Sequence, residues 1–235
     1  LLACVVASRA GMDAVLAGAL GLTLANRNGL SAQLLVLEGH GRDSADPAYD
    51  LTRTVGWFTS LFPVELQLPD TRGPARVAAA VEEQLEAVTR DGRNYGVVRY
   101  LHPETEVRRR VAMSDGDHVV FNYLGRTGST TAAGAAFRLA GPITLSRAED
   151  LAPSFAAEVS AVINDDHLEL TWTSAAMSPG TIEELLNAMA AHVTAIAANI
   201  PGESATDTSS EFPLANLDED GLAKLAAVLK ATDRP

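Results

Sequence analysis

Leu34-Leu35-Val36-Leu37-Glu38-Gly39-His40-Gly41-Arg42-Asp43 sets four aliphatic residues directly before a carboxylate and a glycine-rich stretch. An apolar run this short, bounded by turn residues, reads as a fully buried strand. Glu38 then sits at the strand's end, partly desolvated by its neighbours. Desolvation raises a carboxyl pKa and makes the group a better proton acceptor near neutral pH. Gly39 and Gly41 leave room for a ligand backbone to approach. A strand-end Glu paired with Arg42 or Arg53 is the alternative, and spacing alone does not separate the two.

Around this strand, composition bounds the rest. At 235 residues and 47% hydrophobic content, the chain is long enough for one large domain or two small lobes. Its net charge of −12 opposes nucleic acid or an anionic membrane as a partner. The single cysteine, Cys4, permits neither an internal disulfide nor a thiolate metal cluster, and a cytoplasmic protein fits best. Residues Leu1 to Leu24 are apolar but carry Arg9 and Asp13 without a basic leader, so a buried helix is expected rather than a signal peptide or membrane span. Starting inside an apolar run, the sequence reads as a piece of a longer polypeptide.

Elements alternate along the chain. Asn26-Arg27-Asn28-Gly29 signals a turn after the opening helix, and a second strand is expected over Phe62 to Leu68. Pro74 to Val88 predicts a helix with Val77, Val81, Leu85 and Val88 on one face. Val97 to Leu101 reads as a short helical turn or strand, limited by Pro103. His118 to Leu124 predicts a strand, followed by a Gly/Ser/Thr-rich loop over 125–134. Phe155 to Ile163 and Leu168 to Thr173 predict a hairpin around Asn164-Asp165-Asp166-His167. Ser178-Pro179 opens a helix reaching about Ile200, with Ile182, Leu185, Leu186, Met189 and Val193 inward. The predicted class is α/β, a mixed sheet with packed helices, with residues 1–200 as the main domain and 201–235 as a linker and short connector helix.

Beyond Glu38, Arg53 can hold an oxyanion or clasp a carboxylate, and Trp57 can wall an apolar pocket. A salt bridge and core packing explain the same residues equally well. Asn122-Tyr123 interrupts an apolar strand, so the Asn122 amide must find partners: either it ties two strands together or it points into a cleft beside Glu38. His40 lies between two glycines, where it can assist Glu38 or shape the loop. The five histidines lack metal-ligand spacing, and no phosphate-binding Gly fingerprint is present, so neither a metal nor a nucleotide is expected.

Five ordered blocks resemble the later motifs of the epimerization domains of nonribosomal peptide synthetases. They are the truncated Leu1-Leu2-Ala3, Glu38 to Asp43, Arg53 to Pro63, Tyr95-Gly96-Val97-Val98-Arg99-Tyr100-Leu101, and Phe121-Asn122-Tyr123-Leu124-Gly125. The resemblance implies one lobe, the C-terminal one, of a chloramphenicol-acetyltransferase-like fold of the condensation-domain superfamily. It further implies that a carrier protein delivers an aminoacyl or peptidyl thioester on phosphopantetheine, with no cofactor bound directly, and that its Cα is inverted. On that resemblance Glu38 is the catalytic acid/base, and His40, Arg53, Trp57, Asn122 and Tyr123 line the substrate site.

The family's other catalytic element, His-His-x-x-x-Asp, belongs to the N-terminal lobe, and no His-His pair occurs in this sequence. The expectation is therefore half of a site, inactive alone, with the missing lobe and neighbouring synthetase domains as further partners. A non-catalytic truncated scaffold packing against those domains or a carrier protein is the alternative. Asp43, Phe62 and Arg126 stand where the family commonly shows Glu, Tyr and Gln.

Overall fold

A computed structural model of the chain describes residues 11–42, 50–68, 74–112, 118–126, 155–164 and 167–199. All of them fall within the unit Leu1–Ile200. The expectations for residues 1–10, the loops 43–49 and 127–134, the turn 115–117 and the connector 201–235 lie outside the described residues.

The elements run α1 (Met12–Asn28), β1 (Ala32–Gly39), β2 (Ser60–Gln67), α2 (Pro74–Leu101), α3 (Thr105–Arg110), β3 (Val119–Arg126), β4 (Ala157–Asn164), β5 (His167–Thr173) and α4 (Pro179–Asn199). Among the described residues, five strands form one sheet in the order β2-β1-β3-β4-β5. β1, β3 and β4 are parallel, whereas β2 and β5 pair antiparallel at the two edges. The predicted mixed α/β class is what the chain adopts. Pro63 lies mid-strand in β2, opposite Val36. A proline, lacking an N–H, is tolerated there because β2 is an edge strand.

Strand alternation sorts side chains between the two faces. Leu35, Leu37, Phe62, Val64, Phe121, Val159, Ala161 and Trp172 join one core with α1, α2 and α4. Ten consecutive α1 residues, Ala14 to Thr23, are buried, as expected of a helix apolar all round. Its small residues allow the close fit, since a Cβ added at Gly18 would meet Val77 Cγ1 at 3.0 Å. Asn26 Nδ2 lies 3.1 Å from His192 Nε2, linking α1 to α4. α4 begins where Ser178-Pro179 predicts, with Ser178 Oγ accepting from the Thr181 amide at 3.2 Å.

Several expectations are corrected. β1 is longer than 34–37, and Leu34 is exposed on the face away from the helices. α1 runs through Asn28 and stops only at Gly29, whose φ of 75° is left-handed. The Asn28 side chain bonds to Gln33 and to the Leu30 amide, so it organises the following turn without leaving the helix.

The largest difference is α2, which continues from Val88 unbroken to Leu101. Gly92 looks like a breaker but is a packing residue: a Cβ there would sit 2.7 Å from the Phe62 ring. Tyr95 Oη donates to Val111 O at 3.0 Å and ties the second half of the helix to the chain after α3. β3 likewise passes through Gly125 and Arg126. The register shifts between Tyr123 and Arg126, where Gly125 has φ 81°, the geometry of a β-bulge with one extra residue.

Candidate active site

β1 and β3 pair as far as Leu37↔Phe121, and both strands continue past that point. Glu38 and Asn122 are therefore the first residues beyond the last ladder pair, on the same face. Asn122 Nδ2 donates to Glu38 Oε2. Ligands of open α/β sheets gather in the crevice outside the carboxyl ends of parallel strands, and a cleft of about 450 Å³ opens here.

Glu38, Gly39 and His40 come to the cleft from the end of β1, Thr59 and Phe62 from the β2 side, and Phe121, Asn122 and Tyr123 from β3. Gly11, Asp13 and Ala17 approach from α1, and Glu82, Leu85 and Glu86 from α2. The backbone after Glu38 is fixed in a way only glycine permits. Gly41 has φ 63°, and a Cβ there would fall 1.7 Å from Phe58 O. Arg42 then locks the neighbouring loop, donating to Leu51 O at 3.2 Å, Thr54 O at 2.5 Å and Gly56 O at 3.2 Å. Its guanidinium lies 4.7 Å from the Phe58 ring centroid.

Burial raises the Glu38 carboxyl above the usual glutamate range, and the negative charge of Glu158 raises it further. The residue is nevertheless exposed rather than enclosed. It points at the cleft, not into the core. Burial also raises Glu82, against the opposing effect of the Gly11 amide that donates to Glu82 Oε2 at 2.8 Å. Asp13 is raised by burial too.

Tyr123 is raised chiefly by burial and next by the charge of Asp13. Asn122 and Tyr123 thus serve opposite faces of the sheet: the amide meets Glu38, and the phenol lies on the α1 side near Asp13. A carboxylate with elevated proton affinity, held by an amide donor at a partly apolar cleft, can accept and return a proton.

His40 borders the cleft, and its Nδ1 accepts the Arg42 amide at 3.1 Å. Arg53 and Trp57 are not among the cleft-lining residues. Both are exposed, Trp57 at 90%. Asn122 lies beside Glu38 and donates to it, and among the described residues no ion pair joins Glu38 to Arg42 or Arg53. Among the described residues no group of three His, Cys, Asp or Glu could hold a metal ion, and no helix is long and apolar enough to cross a membrane.

The family model for the condensation domain matches residues 3–212. The chain belongs to the condensation-domain family. A linear gramicidin synthase polypeptide of Brevibacillus parabrevis is 33% identical over 223 residues, which are 93% of this chain and 4% of that protein. Bacitracin synthase 2 of Bacillus licheniformis is 28% identical over 85% of the chain and 8% of its own length. Among solved structures, the epimerization domain from the third module of tyrocidine synthetase B superimposes with a TM-score of 0.68 at 26% identity, covering 83% of this chain and 43% of that one. The first condensation domain of the CDA synthetase, at 14% identity and a TM-score of 0.55, shares the fold. This condensation-family chain therefore spans less than half of the solved relatives it resembles and a few per cent of the synthetases.

Sequence reasoning passes over Asp13, Glu82 and Glu86. Glu82 and Glu86 are four residues apart beside Leu85, a spacing that places them on one helical face. That signal is local and could have been used. What brings them to the rim of the same cleft, the packing of α1 and α2 against the sheet, is tertiary.

Proposed function

We propose that this chain supplies the carboxylate-bearing half of an epimerization site. The substrate is the Cα of an aminoacyl or peptidyl thioester carried on the phosphopantetheine of a carrier protein. The observation that carries this reading is Glu38, raised in proton affinity, bonded to Asn122 and facing the cleft. The likeness to a solved epimerization domain supports it.

In this reading Glu38 removes the Cα proton, the electron pair moves into the thioester as an enolate, and a proton is returned to the opposite face. Stabilising the enolate requires preplaced donors, and the Asn122 amide stands at the right strand end. Inversion also needs an acid or base on the far side of Cα. The resemblance assigns that to the His-His-x-x-x-Asp lobe, so this chain alone has no inversion activity.

The test loads the carrier with an α-deuterated amino acid in the polypeptide as encoded, and follows loss of the label and the D/L ratio of the released product. Glu38→Gln abolishes both while loading continues. Label loss and D-product at the normal rate in that variant would remove Glu38 from the acid/base role. Absence of both in the unaltered polypeptide would favour the scaffold reading.

A further inference from the structure

The β1–β2 ladder ends at the pair Gly39↔Ser60. The next residue on each side, His40 and Thr59, lines the cleft. Residues 40–59 therefore make one excursion whose two feet form a wall beside Glu38. Among the described residues this excursion contains no helix or strand. A long loop keeps a working geometry only when its own side chains tie it together.

Arg42 makes that tie. Its guanidinium donates to the carbonyls of Leu51, Thr54 and Gly56 and stacks over the Phe58 ring, so it holds the returning arm at four residues. Its backbone amide donates to His40 Nδ1 on the outgoing arm at 3.1 Å. At Gly41, between them, the outgoing backbone rests against Phe58 O. One residue thus orients the imidazole and clamps the facing arm. A ring nitrogen that accepts an amide N–H carries no proton, so the neutral imidazole keeps its proton on Nε2. Arg42 itself is not among the cleft-lining residues.

We infer that Arg42 is a positioning residue of the cleft: it fixes His40 and Thr59, one on each arm, without touching the substrate. This inference rests on the reading of the cleft as the place of Cα proton transfer. The guanidinium suits the task, because its planar fork spreads five donors over several carbonyls at once, which a single ammonium cannot do. Proton transfer depends on groups held in register, and a wall displaced by about 1 Å costs roughly 10²-fold in rate.

The first test follows loss of α-deuterium in the polypeptide as encoded, in a single turnover of the loaded carrier. Arg42→Ala lowers the rate roughly 10²-fold while loading continues, and Arg42→Lys stays at least about tenfold slow for want of the fork. Guanidinium ion at sub-denaturing concentration restores part of the Arg42→Ala rate, and methylammonium does not. The acidic limb of the pH–rate profile stays in place, since Arg42 is not among the groups that shift Glu38. Arg76→Ala, at an exposed position in the first turn of α2, changes the rate less than about twofold. Circular dichroism melts confirm that each variant is folded.

The second test needs no turnover. In this chain at pH 8, the nitrogen-15 resonances of His40 report Nδ1 as the unprotonated nitrogen, and in Arg42→Ala they move toward a mixture of tautomers. A normal rate in Arg42→Ala, a slow rate that guanidinium does not restore, a displaced acidic limb, or an unchanged tautomer overturns the positioning role. Absence of label loss in the unaltered polypeptide, with the tautomer still dependent on Arg42, refutes the cleft assignment alone.

Discussion

The Asn122 side chain donates to the Glu38 carboxylate across the point where β1 and β3 stop pairing. A donor to the charged form of an acid favours ionisation, whereas a nearby negative charge opposes it. On the proposed epimerization reading, Asn122→Ala in the polypeptide as encoded is therefore expected to shift the acidic limb of the pH–rate profile for Cα exchange to higher pH. Glu158→Gln, which removes a charge that raises Glu38, shifts it to lower pH. Asn122→Ala also lowers the rate by roughly 10²-fold, the scale of losing one preplaced donor. Profiles that move together, or not at all, would show that Glu38 is not the titrating group.

Asp13 and Glu82 give the fold a pH dependence of definite sign. Burial raises both carboxyls, so the native state holds protons that the unfolded chain has released. Their contribution is fully present below the unfolded pKa values and is lost as pH rises through the raised folded values. His192, lowered by burial, acts oppositely, losing its contribution as pH falls, so the comparison must be between variants. Asp13→Asn with Glu82→Gln should raise the urea midpoint relative to the unaltered chain at pH 7.5, and much less at pH 4. An equal change at both values would contradict the assignment.

Two glycines in one helix predict opposite signs for the same substitution. A Cβ at Gly92 would press on the Phe62 ring at 2.7 Å, whereas nothing lies within 4 Å of one at Gly96. Gly92→Ala should destabilise by about 1–3 kcal/mol through overpacking. Gly96→Ala should stabilise by about 0.5–1 kcal/mol through helix propensity. Chemical denaturation of the two variants decides it, and matching signs would mean that α2 does not pack on β2 as described.

The chain's two tryptophans report on different surroundings. Trp57 is 90% exposed and Trp172 is buried against the helical layer. Acrylamide should quench Trp57 freely and Trp172 weakly, so Trp57→Phe should remove most of the quenchable emission. Protection of Trp57 in dilute solution would show that its loop is covered.

The elements most legible in the sequence are those with local signals. The hairpin of β4 and β5 follows from alternation at Leu168, Leu170 and Trp172, and the start of α4 from Ser178-Pro179. What cannot be read locally is set by distant packing. Nothing near Gly92 says that Phe62 will fill the space its missing side chain leaves, so the sequence alone ends α2 too early. Glu38 stands out because an acid ending an aliphatic run is unusual, and its apposition to Asn122 is one of two readings the sequence allows. Trp57 looks like a pocket wall, but its loop is held by Arg42 on backbone carbonyls and turns the indole outward.

Pro63, in the middle of edge strand β2, bears on how this chain can associate. An open strand edge invites another backbone to continue the sheet, and a proline blunts that invitation by withholding a donor and bending the margin. β-augmentation on this side is thereby discouraged. Along this margin, association with another chain is left to side-chain surfaces rather than to continuation of the sheet.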